Sequence, residues 1–373
     1  MKKVKTIMKS ALRVLVSVLI GVAAGLVFSE LRSASRFDGY LFILELAVAF
    51  VIAYFANIII HEGGHLVCGL ISGYGFSSFR IGSIMLVKID GKLCLRSFSI
   101  AGTGGQCLMT PPTSTNGRAP VVLYNLGGVI FNMIFAIISM VLFLLNRDVP
   151  FLSATLLVFD ILSVFFAQTN GIPMKVGGIA NDGMNAISLT KDSRAADAFF
   201  NQLRMNEAQI RGIRLSDMPR EWFDIPNDAD MRNVTFATIG VFRANRTMDS
   251  GDTTTAEREI NALLRSGWGI PDLYKNLLKC DLIVCRLLGG TTTDVSDLLT
   301  PDLLKFMKAM KSFPSVIRTE YAIARLVNKN DEESDKIIAR FEAGSKKYPF
   351  SADLESEREL MKKIDDKAGQ SAK

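Results

Sequence analysis

Hydrophobic residues form four long and nearly uninterrupted runs in the first half of the chain. The runs cover residues 14–28, 40–60, 121–145 and 151–169. A helix rises about 1.5 Å per residue, so the second run would extend roughly 31 Å, about the thickness of the hydrocarbon core of a bilayer. The pattern therefore predicts an α-helical polytopic membrane protein with about four transmembrane helices, the first of them retained as an N-terminal membrane helix.

A different pattern separates the second hydrophobic run from the third. Hydrophobic and polar residues alternate on both sides of Asp90-Gly91, which is a strong signal for a β-hairpin. We therefore expect a small hairpin insert at about 80–100, followed by irregular backbone over the Gly-, Pro-, Thr- and Ser-rich residues 102–120. The hairpin could offer an exposed edge to an unfolded substrate segment or could simply connect two helices, and both interpretations stay open.

The second half of the chain, residues 191–373, has the amphipathic pattern of short soluble helices. Pairs of such helices with clear stop signals resemble tetratricopeptide repeats, although no clean 34-residue period is present. We expect an all-α, helical-repeat-like cytoplasmic domain that binds a protein or peptide partner or serves as a scaffold. The predicted organisation is an N-terminal segment with the first membrane helix and an outer loop (1–39), an apolar core with the hairpin (40–190) and this helical domain (191–373).

Charge is distributed unevenly between the two halves. Residues 1–190 hold 14 basic and 8 acidic residues, whereas residues 191–373 are balanced. A basic excess at the ends of apolar segments indicates the cytoplasmic ends of membrane helices and contact with the lipid bilayer. It argues against a nucleic-acid partner. Together with four helices it predicts a multi-pass protein of the cell membrane whose N- and C-termini are cytoplasmic. The five scattered cysteines are typical of reduced thiols.

The chain contains two histidines, and both lie in the segment His61-Glu62-Gly63-Gly64-His65 at the end of the second hydrophobic run. Imidazoles spaced i, i+4 share one face of a helix and can bind one metal ion, and Glu62 can polarise a water activated by that metal. A helical histidine pair is often ordinary surface in a soluble protein. Beside a membrane-length apolar segment, however, polar groups are costly unless they have a function. The spacing therefore predicts a hydrolytic zinc site.

A catalytic zinc ion keeps three protein ligands, so two histidines are not sufficient. The third ligand is expected to be a carboxylate at the cytoplasmic end of another membrane helix. Asp182 is the best candidate, because Pro173 and nearby glycines break the fourth helix and allow the chain to turn back. Asp90, which is committed to a turn, and Asp160, which lies deep in an apolar run, are weaker alternatives.

Three motifs together resemble the site-2 protease family of intramembrane zinc metallopeptidases. The resemblance covers about residues 40–190. Its motifs are the histidine segment, Gly127-Gly128 followed by Asn132, and Asn170-x-x-Pro173 with Asp182-Gly183.

This resemblance implies a Zn²⁺ cofactor held by His61, His65 and Asp182. It also implies that Glu62 is the general base and acid of peptide hydrolysis. The active site is then expected near the cytoplasmic side of the membrane, within a protease core formed by residues 40–190.

The resemblance also assigns roles to two asparagines. Asn170 is expected to hold the substrate backbone or the tetrahedral oxyanion, and Asn132 to help position the substrate. The segment 174–181 is longer than in many family members, and the chain lacks the PDZ domain that some members insert. The longer segment makes the relation of Asn170 to the metal less direct than that of Asp182.

We therefore predict a zinc metalloendopeptidase that cleaves single-pass membrane proteins or signal-peptide-derived substrates, as in regulated intramembrane proteolysis. The alternative is a catalytically silent zinc-binding membrane adaptor whose helical tail recruits partners, although Glu62 argues against it. Transport is favoured only by Asp160 and Glu45 in apolar runs, and four helices without an internal repeat argue against it.

Overall fold

Three long apolar helices dominate the N-terminal half of the structure. The computed structural model describes residues 39–100, 103–112, 120–289 and 294–371, together with five isolated positions between 21 and 32. The first predicted membrane helix and the outer loop lie largely outside the described residues.

Within the described residues, α1 (Tyr40–Ile71), α2 (Val121–Leu145) and α3 (Pro150–Gly171) are long and apolar enough to cross a membrane. Large apolar side chains on these helices remain exposed, with Ile137 at 65% and Leu145 at 76%. A soluble protein rarely leaves so extended an apolar surface in water. The surface is suited to lipid, and the chain is a membrane protein.

The contact between α1 and α2 is close because small residues face each other. A side chain added at Gly64 would overlap the backbone of Gly127, and one added at Gly127 would overlap the backbone of Gly64. Small residues allow membrane helices to approach in this way. The neighbouring Gly63 faces open space, so only the second glycine of the histidine segment supports this contact.

A four-stranded antiparallel sheet follows α1. Its strands are β1 (Gly75–Ile81), β2 (Ile84–Ile89), β3 (Lys92–Ser97) and β4 (Gly105–Thr110), and their order is β3-β2-β1-β4.

The predicted hairpin is the β2–β3 pair of this sheet, in which Ile89 is paired with Lys92. Both turn residues have positive φ, 48° at Asp90 and 79° at Gly91, as a two-residue hairpin turn requires. The expectation of irregular backbone over 102–120 is wrong where β4 forms. The sequence of β4 has no clear strand pattern of its own, and the strand forms because its backbone hydrogen-bonds to β1.

Beyond α3 the structure is mostly helical, with a short hairpin formed by β5 (Lys175–Val176) and β6 (Ile179–Ala180). The later helices are α4 (Asp182–Lys191), α5 (Ser193–Ile210), α6 (Val234–Asp249), α7 (Thr253–Arg265), α8 (Asp272–Gly289), α9 (Pro301–Ala309), α10 (Pro314–Ala322), α11 (Asp331–Ser345) and α12 (Ser351–Ser371).

The described chain divides into two compact units whose boundaries differ from the predicted ones. We call them the apolar unit (the described residues within 1–68, 123–174 and 181–184) and the mixed unit (the described residues within 69–122, 175–180 and 185–373). The β-sheet thus groups with the C-terminal helices, whereas the sequence placed it with the core at 40–190. The physical reason is aromatic packing, since the ring of Phe98 contacts Phe313, Tyr348 and Phe350.

Candidate metal centre

The two histidines lie on one buried face of α1. His61 is 6% exposed and His65 is 8% exposed. The helix continues without a break from the apolar run through both residues to Ile71, so the i, i+4 spacing places the rings side by side. Their Nε2 atoms are 3.3 Å apart.

Asp182 reaches the histidines because the chain reverses twice after α3. The helix ends at Gly171, the β5–β6 hairpin turns the chain back, and α4 begins at Asp182. The segment that is longer than in many family members is therefore closed into a hairpin, and Asn181 N–H donates to the carbonyl of Met174 at 3.0 Å. The extra residues leave the end of α3 and the start of α4 adjacent.

The side chain of Asn181 holds this junction together. Its Oδ1 accepts from the backbone N–H groups of Met174 and Met184, each at 3.0 Å. Its Nδ2 donates to the carbonyls of Thr169 and Ile172, each at 2.7 Å. One amide therefore satisfies the end of α3 and caps the start of α4, which fixes the position of Asp182.

The three side chains converge on one point. Oδ2 of Asp182 lies 3.2 Å from Nε2 of His61 and 3.4 Å from Nε2 of His65. With the 3.3 Å between the two nitrogens, these atoms form a nearly equilateral triangle. Ligands of a tetrahedral zinc ion with bonds of about 2.0–2.2 Å lie about 3.3–3.6 Å apart. The triangle has the spacing of a zinc site that leaves its fourth position open.

The protonation of the site also favours a cation. Nδ1 of His65 lies 2.8 Å from the carbonyl oxygen of Tyr124, which can only accept, so the proton of the neutral ring is on Nδ1 and Nε2 carries a lone pair. Oδ2 of Asp182 is buried and has no hydrogen-bond donor. One proton could be shared by only two of the three atoms, Nε2 of His61, Nε2 of His65 and Oδ2 of Asp182. A metal ion can accept a lone pair from all three.

Asp182 is suited to ligation at neutral pH. Burial raises the pKa of Asp182, but when the two imidazoles are protonated, the charge of His65 and hydrogen bonds from His61 and His65 outweigh burial and lower the pKa to about 2. The carboxyl group is therefore ionised over the physiological range.

Gly128 of α2 provides the space for the ring of His61. A methyl group at this position would lie 2.5 Å from Cε1 of His61, well inside van der Waals contact. On another side the ring of Phe166 lies 6.1 Å from that of His61, centroid to centroid. Glycine is thus required at position 128 of α2, and the apolar ring of Phe166 on α3 covers another side of the site.

The other predicted site residues lie nearby but differ in their surroundings. Glu62 is 8% exposed and lies on α1 between the two histidines. Asn132 is fully buried, and its Oδ1 lies 2.7 Å from Nδ1 of His61. Asn170 is partly exposed in the last turn of α3, and its Nδ2 donates to the carbonyl of Phe166 at 3.0 Å.

The two alternative ligands are not part of the cluster. Asp90 lies in the turn between β2 and β3, and Asp160 is buried in α3. Among the described residues, the group of three His, Cys, Asp or Glu ligand atoms within 4.8 Å of one another consists of His61, His65 and Asp182.

Sequence reasoning did not identify Asn57, Ser163 or Asn181. Asn57 and Ser163 lie in apolar runs, where an uncompensated polar side chain is costly and is itself a signal of function. Asn57 also precedes His61 by four residues, so the i, i+4 rule that links the histidines would have placed it on the same face. Asn181 immediately precedes Asp182 and gives no pattern of its own.

Comparison with models of known protein families gives a match. The profile of peptidase family M50 matches residues 49–342, which is more than three quarters of the chain. Comparison with curated proteins and with solved structures gives no match. The matched region contains the histidine segment, Asn132, Asn170 and Asp182. The resemblance to the site-2 proteases is thereby confirmed, and the chain belongs to peptidase family M50, the site-2-type intramembrane metallopeptidases.

Proposed function

We propose that the protein is an intramembrane zinc endopeptidase in which His61, His65 and Asp182 hold the metal and Glu62 transfers protons. One observation carries this proposal: the three buried ligand atoms of His61, His65 and Asp182 lie 3.2–3.4 Å apart. Glu62 directly follows His61 in the sequence. Two imidazoles and one carboxylate are a ligand set of catalytic zinc sites with an open position. A structural zinc site is usually closed by a fourth protein ligand.

The residues divide the chemistry among them. When bound, Zn²⁺ supplies Lewis acidity that makes a water acidic and a peptide carbonyl electrophilic. Glu62 takes a proton from the attacking water and delivers it to the leaving amine. In this proposal Asn170, whose side chain is partly exposed, holds the substrate backbone or the oxyanion, and the resemblance to the site-2 proteases supports that role.

The position of the site in apolar helices favours a membrane substrate. A transmembrane or signal-peptide-derived segment can reach the site from the bilayer, but helical hydrogen bonds protect its peptide bonds. The substrate must therefore unwind locally before cleavage. Lys175, Lys191 and Arg194 follow α3, and basic residues mark the cytoplasmic ends of membrane helices. We accordingly place the active site and the C-terminal half on the cytoplasmic side.

Cleavage by the purified protein in vesicles tests this function. The substrate is a single-pass helix with a central Gly-Pro pair, and the variant is Glu62→Gln. We expect the variant to bind zinc with normal stoichiometry and to lose activity by about 10³-fold, within the range of general-base contributions. Glu45→Gln is the matched control, because it removes a buried carboxylate from the same helix far from the site.

Two outcomes would reject the proposal. Equal cleavage by wild type and Glu62→Gln would exclude Glu62 as the proton-transfer group. Full zinc occupancy without cleavage of any single-pass or signal-peptide substrate would favour the adaptor alternative, in which the helices of residues 191–373 recruit a protein or peptide partner.

A further inference from the structure

A chain of hydrogen bonds leads away from His61 through the three apolar helices. Nδ1 of His61 lies 2.7 Å from Oδ1 of Asn132 on α2. Nδ2 of Asn132 donates to Oδ1 of Asn57 on α1 at 2.9 Å, and the hydroxyl of Ser163 on α3 donates to the same oxygen at 2.7 Å. Asn57, Asn132 and Ser163 are all 0% exposed.

The far end of this chain fixes its direction. Nδ2 of Asn57 lies 3.0 Å from the carbonyl oxygen of Ala53 and 3.2 Å from that of Phe159. Backbone carbonyls can only accept hydrogen bonds, so this end of the Asn57 amide must be the donor. The Oδ1 of Asn57 therefore points toward Asn132 and Ser163, because the two carbonyls fix which end of the amide is nitrogen.

The direction propagates to the metal ligand. Asn132 must present Nδ2 to the oxygen of Asn57, so its own Oδ1 faces His61. An amide oxygen accepts, so the proton of the neutral His61 ring lies on Nδ1 and the lone pair lies on Nε2. Nε2 is the atom that lies 3.2 Å from Asp182. For His65 a single backbone carbonyl gives the same result.

We infer that Asn57 is a positioning residue that sets the tautomer and ring orientation of His61 through Asn132, and that Ser163 holds Asn57 in the required orientation. This inference rests on the proposed metal site but not on peptidase activity. Both Nδ2 protons of Asn132 face Asn57, since Nδ2 also lies 3.4 Å from the carbonyl of Asn57. The geometry thus favours an orienting role for Asn132 over direct contact with substrate.

The physical basis is the low polarity of the surroundings. Hydrogen bonds that point the same way polarise one another, and a buried amide that loses its partner incurs the full cost of desolvation. Groups that hydrogen-bond to metal-ligating histidines typically change metal affinity or activity by 10- to 100-fold when removed. Asn57 is one residue further from the metal, so we expect the lower end of this range.

Zinc affinity of the full-length protein in detergent tests the inference. The competitor is a chromogenic chelator, and the second readout is the visible absorption spectrum of the Co²⁺-substituted protein. We expect Asn57→Leu and Ser163→Ala each to raise the Kd for zinc by about tenfold and to alter the cobalt spectrum. Ser153→Ala is the matched control, because Ser153 is a buried serine of α3 that donates to the carbonyl of Asn146.

A conservative substitution separates positioning from simple stability. Protonated Asp in Asn57→Asp keeps an oxygen for Asn132 and a donor for the carbonyl of Phe159, so we expect zinc affinity within about twofold of wild type. This expectation follows from the retained donor and acceptor. Thermal unfolding of each variant is measured in parallel.

The outcomes are distinct from those that test peptidase activity. Unchanged zinc affinity and an unchanged cobalt spectrum in folded Asn57→Leu would overturn the inference, as would an equal loss in Ser153→Ala. Zinc binding that depends on Asn57 in a protein without peptidase activity would sustain the inference and reject the proposed function.

Discussion

The apolar and mixed units both bury polar side chains, but they do so in opposite ways. In the apolar unit the buried chain beside the metal site consists of neutral groups, each donating to the next, from His61 through Asn132 to Asn57. In the mixed unit Arg318, 2% exposed, lies between two carboxylates, 2.5 Å from Asp281 and 3.0 Å from Glu357.

The difference follows from what each unit needs from its polar groups. A neutral chain has a direction, which can orient a ligand without placing a charge in lipid. An ionic cluster has no such direction, and it carries a large desolvation cost that only mutual pairing offsets. Asp281, Arg318 and Glu357 also line a cavity of about 260 Å³. The buried polar groups of the apolar unit therefore orient a metal ligand, whereas those of the mixed unit mainly affect the stability of the fold.

The ionic cluster should show the largest response to mutation. Arg318→Met leaves Asp281 and Glu357 buried without their cation, and removal of one partner from a buried ion pair typically costs about 3–5 kcal/mol. We expect this loss in the free energy of unfolding, measured by chemical denaturation. The control is Arg211→Met, since Arg211 is 55% exposed and lies 4.0 Å from Glu207. A loss equal to that of the control would show that the cluster is already solvated.

Two buried carboxyl groups of the mixed unit, Glu357 and Asp353, should contribute stability that is lost as pH rises. Burial raises the pKa of Glu357 from 4.5 to about 7, against the lowering effect of Arg318, and burial raises that of Asp353 to about 7. The folded state then keeps protons that the unfolded state releases above about pH 4.5. The stability that these two groups contribute is therefore greatest below this pH and is lost as pH rises through about 7.

Glu357→Gln tests this pH dependence. At about 1.4 kcal/mol per pKa unit, wild type should lose on the order of 3 kcal/mol from Glu357 between pH 4.5 and pH 8, and the variant should lose correspondingly less. Glu355→Gln, an exposed position on the same helix, is the control. Parallel pH profiles for wild type and Glu357→Gln would contradict the expectation.

The geometry of the metal site should be broken by a single methyl group. Gly128→Ala places a carbon 2.5 Å from the ring of His61, and such overpacking costs about 1–3 kcal/mol. If the ring yields, the affinity for zinc should fall by up to about 100-fold, which corresponds to about 2.7 kcal/mol. Gly63→Ala is the control, because no atom lies within 4 Å of the added methyl. Equal zinc affinity in both variants would mean that the ring can move without loss.

The smallest effect is expected at the junction that holds Asp182. Asn181→Ala removes the amide that joins the end of α3 to the start of α4 but leaves the three ligands in place. We expect zinc affinity to fall by about tenfold, as for other groups that orient ligands. The control is Asn185→Ala, one turn later on α4. An unchanged affinity would show that the β5–β6 hairpin alone positions Asp182.

Much of the fold could be predicted because its signals are local. The hydrophobic runs at 40–60, 121–145 and 151–169 became α1, α2 and α3, and Asp90-Gly91 became a hairpin turn. Strand β4 was missed, since its pairing with β1 is a contact between distant parts of the sequence. The grouping of the sheet with the C-terminal helices depends on contacts between Phe98 and aromatic residues far along the chain, and no local sequence pattern predicts such contacts.

The candidate site divides along the same line. The sequence by itself predicted the candidate ligands, because the i, i+4 spacing of His61 and His65 follows from local helical geometry and the break at Pro173 allows the chain to turn Asp182 back toward them. Only the tertiary structure decided that their three ligand atoms meet and that Asn57 fixes the orientation of His61. Those relations join three helices, and hydrogen-bond direction depends on which backbone carbonyls the fold places at the end of the chain.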